Sequence, residues 1–274
     1  MGALLFLLAS GFTVIFGIMR IVNLAHGAFY LLGGYIGLSV TRATGSFWIG
    51  ILAGGLGIVA VGLMSERFLI RRVIDSELQQ ILLTVGMAYV IGDISLAIWG
   101  GLPQRVPTPE WISGAFHITG TLYYPRYRLF IILFGFLMGG LLWFLQERTG
   151  IGVAVRAGVD DREMASAMGI NIRLLSVVIF ALGSFLAGIS GVIGGGFLTL
   201  YPHADWEVLV LALVVVIVGG LGSLKGAVIG ALFVGVIDAY GRWLWPELSY
   251  FIVFAPMAIL LAIRPQGLFG RETS

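Results

Sequence analysis

Nine apolar runs, each close to the length of a membrane crossing, alternate with short clusters of charge. Residues 1–19 carry no charge before Arg20, residues 21–41 none before Arg42, and residues 43–65 none before Glu66. Further runs cover 78–99 (interrupted by Asp93), 129–146, 174–204, 208–224, 226–244 (interrupted by Asp238) and 248–263. A helix needs roughly 20 mainly apolar residues to cross a bilayer, because lipid offers the backbone no hydrogen-bond partner. The chain is 59% hydrophobic and 11% charged, whereas soluble domains hold about 25% charged residues. The expected fold is all-α: a polytopic integral membrane bundle forming one domain over 1–274, with roughly eight or nine crossings of that length. The run at 21–41 could also be re-entrant.

Glycine supplies 41 of the 274 residues. Pairs four apart recur, as in Gly33/Gly37, Gly50/Gly54 and Gly226/Gly230, and together they favour closely packed helices. The first run has neither a basic lead nor a small-residue cleavage site, so it reads as a retained span and not as a signal peptide. Cysteine is absent, which excludes disulfides, cysteine metal sites and a thiol nucleophile. A net charge of +2 gives no argument for nucleic acid.

The basic residues set the topology. With the N-terminus outside and each run crossing once, eleven of the 16 Lys and Arg fall inside and five outside. Segment 147–173 and the C-terminus are then cytoplasmic. The proline-bearing loop 100–128, with Pro103, Pro107, Pro109 and Pro125, is extracytoplasmic.

Within 147–173, the stretch Arg156 to Asn171 holds the clearest local signals. Asp160 followed by Glu163 has the spacing of a capping box. Gly169 suits the left-handed position past a helix end. The helix between them is too short to span a bilayer or to be stable alone. Met164 and Met168 lie one turn apart with Ala165 beside them, a flexible apolar face of the kind that docks into a partner's groove. An ordinary loop helix packed on its own bundle is the alternative.

Other polar residues are sparse. His26, in Asn23-Leu-Ala-His-Gly27, is either a proton carrier or solute contact, or a helix-start histidine with a backbone partner; the second reading is favoured. Asp93 and Asp238 interrupt apolar runs, where carboxylates are costly and are functional candidates. Val218 to Gly226 has the wrong glycine spacing before Lys225 for a phosphate-binding loop and reads as a tight turn between spans. No nucleotide motif, metal-ligand cluster or Ser/His/Asp arrangement is present in the sequence, so no cofactor is expected.

Five stretches taken together, Gly11 to Gly27, Glu66 to Arg72, Arg156 to Asn171, Gly219 to Gly226 and Arg264 to Phe269, resemble the permease subunit of ATP-binding-cassette importers for branched-chain amino acids. The first span has less chain ahead of it than such permeases usually carry. The resemblance implies a non-catalytic transport subunit in a bacterial or archaeal inner membrane. Its implied partners are a second, related permease, two cytoplasmic ATPases that hydrolyse ATP, and an extracytoplasmic solute-binding protein. It matches Arg156, Asp160, Asp161, Met164, Ala165, Met168, Gly169 and Ile170 to the segment that couples to the ATPase, and leaves Asn23, His26 and Gly27 as a motif of unknown role. The solute it implies is a branched-chain amino acid or a related small solute. The competing functions are an ion-coupled secondary transporter, for which Asp93 and Asp238 are the coupling candidates, and an intramembrane enzyme, for which converging polar groups are scarce.

Overall fold

A computed structural model describes residues 1–73, 76–119, 122–244, 246–264 and 266–269. Pro265 and Arg271, which entered the motif and charge readings, lie outside the described residues. Each of the nine runs forms one long helix: α1 (Gly2–Met19), α2 (His26–Thr44), α3 (Phe47–Phe68), α4 (Glu77–Trp99), α5 (Arg126–Arg148), α8 (Ile172–Phe197), α9 (Ala204–Gly219), α10 (Leu224–Leu244) and α11 (Ser249–Ile263). The polar stretch between α5 and α8 holds two more, α6 (Gly150–Asp160) and α7 (Arg162–Ala167). Among the described residues, six helices are both long and apolar enough to cross a bilayer, fewer than the expected eight or nine. The loop before α5 departs from the all-α expectation: β1 (Ala115–Thr119) and β2 (Leu122–Pro125) form an antiparallel hairpin.

α1 and α8 are the hub. About three quarters of α1 and two thirds of α8 are enclosed by protein, and α8 packs on α1, α2 and α3. Glycine makes this possible. A Cβ on Gly188 of α8 would stand 2.5 Å from the Gly54 carbonyl oxygen of α3, and one on Gly54 would stand 2.7 Å from the Gly33 carbonyl oxygen of α2. Three backbones therefore meet without side chains between them, which gives the close dispersion contacts that association in lipid relies on.

Two chain reversals go back into the bundle. α1 ends at Arg20 in the left-handed conformation (φ 52°), and residues 21–25 then return along it. The Asn23 Oδ1 accepts the Ala25 N–H at 3.1 Å, an Asx turn that starts α2. The first residue of α2, His26, reaches the Leu8 carbonyl of α1 through its ring, and the same ring lies beside Gly11. α2 thus begins at the depth of the middle of α1. The second reversal follows α8. Residues 198–203 are non-helical, His203 is left-handed (φ 67°), and α9 begins beside α2, where Gly27 leaves room for the Asp205 backbone. α9 has 16 residues and is about 24 Å long, short of the roughly 30 Å hydrocarbon layer. Arg20 and His203 are the non-glycine residues with positive φ among those described.

Each pole of the molecule gathers its own connections. At one, Arg42 Nη1 donates to Gln104 Oε1 at 2.7 Å, Arg105 Nε donates to the Gly196 carbonyl at 2.9 Å, and Trp48 stacks on Trp111. At the other, the end of α1, α6 and the α9–α10 turn surround one cavity.

Candidate functional site

Segment 147–173 is built from separately capped pieces. Thr149 Oγ1 accepts the Gly152 N–H and starts α6. Asp161 Oδ1 accepts the Met164 N–H at 2.9 Å and starts α7. Asn171 Oδ1 accepts the Leu174 N–H at 3.0 Å and starts α8. The cap of the short helix is therefore Asp161 and not Asp160, which ends α6, and Glu163 stands one place too early for a capping box. The extended backbone of Asp161 separates α7 from α6, a helix the sequence reading did not mark. The other end of α7 follows the expectation. Gly169 is left-handed (φ 88°), its N–H goes to the Ser166 carbonyl, and the Ile170 N–H goes to the Ala165 carbonyl. This is a Schellman closure.

α7 exposes Met164 by 60% and Met168 by 77% and buries Ala165 to 3%. The apolar face open to a partner is thus the methionine pair, while Ala165 points into its own chain. That corrects the expectation that all three share the docking face. Arg156 also faces inward. Its Nη1 donates to the Gln146 carbonyl and stands 3.7 Å from Glu147 Oε2, so it braces α6 against the end of α5.

α6 forms one wall of a cavity of about 710 Å³. Val155 and Val159 line it together with Val14 and Gly17 of α1, Leu142 of α5, Leu182 of α8, Lys225 and Phe269. The stretch 266–269 lies along the end of α9, where the Leu268 N–H donates to the Val218 carbonyl at 2.9 Å and the Phe269 N–H to the Gly219 carbonyl at 3.0 Å. These bonds satisfy carbonyls that a helix end leaves open. Gly17 faces Gly222 of the turn. Parts of four of the five sequence stretches singled out above thus converge on this pole. Sequence reasoning missed Arg20 and Gly267 here, both left-handed. The glycine was visible in the sequence; nothing marked the arginine.

Asn23, His26 and Gly27 lie deep inside. His26 is fully buried, its Nε2 donates to the Leu8 carbonyl at 3.0 Å, and Phe12 meets the ring edge-on. A carbonyl can only accept, so Nε2 carries the hydrogen. This is the favoured bland reading, a helix-start histidine with a backbone partner, and it ties α2 to α1. Asp238 is buried and pairs with Arg242 at 2.8 Å. Glu66, also buried, accepts two hydrogen bonds from Arg71 Nη2 at 3.0 and 3.1 Å and fixes the turn after α3. Asp93 is exposed on α4. No group of three or more His, Cys, Asp or Glu that could hold a metal ion occurs among the described residues.

A bundle of long apolar helices with broken segments at its centre and a capped, methionine-faced helix at one pole is the frame of a polytopic transport protein. The description "Branched-chain amino acid transport system / permease component" matches residues 1–261, and the chain belongs to that family. It is 27% identical over 287 residues to the high-affinity branched-chain amino acid transport system permease protein LivH of Salmonella typhimurium, covering 99% of this chain and 92% of the relative. It is 26% identical to BraD of Pseudomonas aeruginosa, covering 97% of this chain and 91% of the relative. A more distant relative, the ribose import permease protein RbsC of Escherichia coli, is 24% identical, over 88% of this chain and 76% of its own length.

Proposed function

We propose that this chain is a membrane-spanning permease subunit of an ATP-driven importer whose solute is a branched-chain amino acid. Family membership supports the transport role, and the exposed Met164/Met168 face of α7 supports coupling to a partner. Thr149, Asp161 and Asn171 make α6 and α7 discrete bodies, so a push on the methionines is transmitted to α8 and to the hub behind it. In this reading 147–173 and the C-terminus face the cytoplasm and 100–128 faces out. Two ATPases dock at the methionine pole, a second permease packs alongside, and an extracytoplasmic binding protein delivers solute to the other pole. ATP hydrolysis takes place on the ATPases.

Uptake in membrane vesicles tests the reading. Leucine accumulation should require ATP and persist when ion gradients are collapsed; accumulation driven by a gradient without ATP overturns it. Topology is tested by single cysteines at Ser166 and Ser113 in this cysteine-free chain, which should react with an impermeant reagent from opposite sides of the membrane.

A further inference from the structure

Asp93 is an exposed carboxylate set in an apolar helix. It stands six residues, about 9 Å, from the Trp99 end of α4. Its exposed neighbours on the helix are Val90, Ile94 and Leu96. Among the described residues its carboxylate has no hydrogen bond or ion pair. A charge at that depth against lipid is costly, and intramembrane carboxylates face protein or water. Two further observations set this face apart from the packed core. Gly86, seven residues earlier on the same stripe, has open space where a side chain would be, so this face is not packed within the protomer. One turn from Asp93, Tyr89 meets Trp206 at the start of α9, with ring centroids 5.6 Å apart. That start follows the non-helical stretch 198–203, which is held to the loop before α5 by the reciprocal backbone bonds of Leu200 and Gln104. Here it carries polar groups outward: the exposed His203, and Tyr201, whose hydroxyl donates to Glu207 Oε2 at 2.8 Å.

We propose that the α4–α9 seam lines the solute path and that the Asp93 carboxylate receives the ammonium group of the passing amino acid. The inference rests on the importer reading above. The seam matches the chemistry of such a solute. Asp93 offers the anion, the Tyr89 and Trp206 rings offer faces to a cation, and Val90 and Ile94 offer an apolar surface to a branched side chain. A solute whose only charge is a carboxylate is repelled by Asp93.

The test uses the complete importer, with radiolabelled leucine for uptake and loaded binding protein for stimulation of ATP hydrolysis. Asp93→Asn should lower leucine uptake by at least about tenfold, the scale of one lost charge-assisted contact. Stimulated ATP hydrolysis should stay near wild type, and Asp93→Glu should restore part of the uptake. Unchanged uptake in Asp93→Asn, with ATP-dependent uptake in wild type, overturns this inference alone. Loss of both uptake and stimulation in the Asn and Glu variants alike makes Asp93 a structural contact and also overturns it. Wild-type uptake that does not need ATP overturns the importer reading and this inference with it.

Discussion

In the seam of α2, α3 and α8, backbones touch through Gly33, Gly54 and Gly188, and side chains fill the space around them. In 147–173 the helices are short, and Thr149, Asp161 and Asn171 each cap a first turn. The seam has no tolerance for added volume, because its neighbours are backbone atoms that cannot turn aside. The capped segment tolerates change on its exposed side, because its shape comes from hydrogen bonds at its ends. In the proposed function the capped segment is the lever and the seam the block it acts on.

The largest expected effect comes from forcing volume into the seam. Gly188→Leu should cost more than the about 1–3 kcal/mol typical of overpacked cores, and the variant should fail to accumulate as a monodisperse protein in detergent. A wild-type yield and melting temperature would show that the seam is looser than its backbone distances state.

Next is the double change Met164→Asp, Met168→Asp. Both side chains are exposed, so the bundle should fold normally. Association with the ATPases should weaken by about 2 kcal/mol or more, as when central anchors of an interface are lost. Co-purification with the ATPases reads this; unchanged association removes α7 from the interface. Ala165→Asp sharpens the contrast, since Ala165 is buried in its own chain and an unpaired buried charge is costly. That variant should speed hydrogen exchange across α7 before it affects docking.

Gly169→Ala should be milder, destabilising the end of α7 by about 1–2 kcal/mol because a Cβ is strained in the left-handed region. Faster exchange confined to 162–171 is the expected signature. The smallest effect is expected for Asp238→Asn. Asp238 is buried but its partner Arg242 is 61% exposed, and asparagine keeps the side-chain volume and an oxygen that can accept the Arg242 N–H. ATP-dependent uptake should remain insensitive to pH, as in wild type; a selective loss of proton-driven uptake would revive the ion-coupled alternative.

The positions of the nine long helices were legible in the sequence because charge is excluded from the bilayer and each cluster of charge marks an end. The left-handed stop at Gly169 was legible because glycine adopts positive φ at little cost. The cap of α7 was misplaced by one residue, since Asp160 and Asp161 are chemically equal candidates and a kink between helices chose the second. Ala165 was assigned to the wrong side because helical periodicity orders residues around an axis but does not say which side meets the rest of the chain.

The two reversals show the same division. By itself the sequence determined that this chain lives in a bilayer, where its helices run and which stretches lie outside them, because hydropathy, capping and glycine conformation are local properties. Tertiary structure decided that α2 and α9 begin deep inside the bundle, that Arg20 and His203 turn left-handed to start them there, and that Asp93 faces outward from the protomer. Those outcomes depend on how backbones from distant parts of the chain pack, and a residue carries no record of its neighbours until the helices have met.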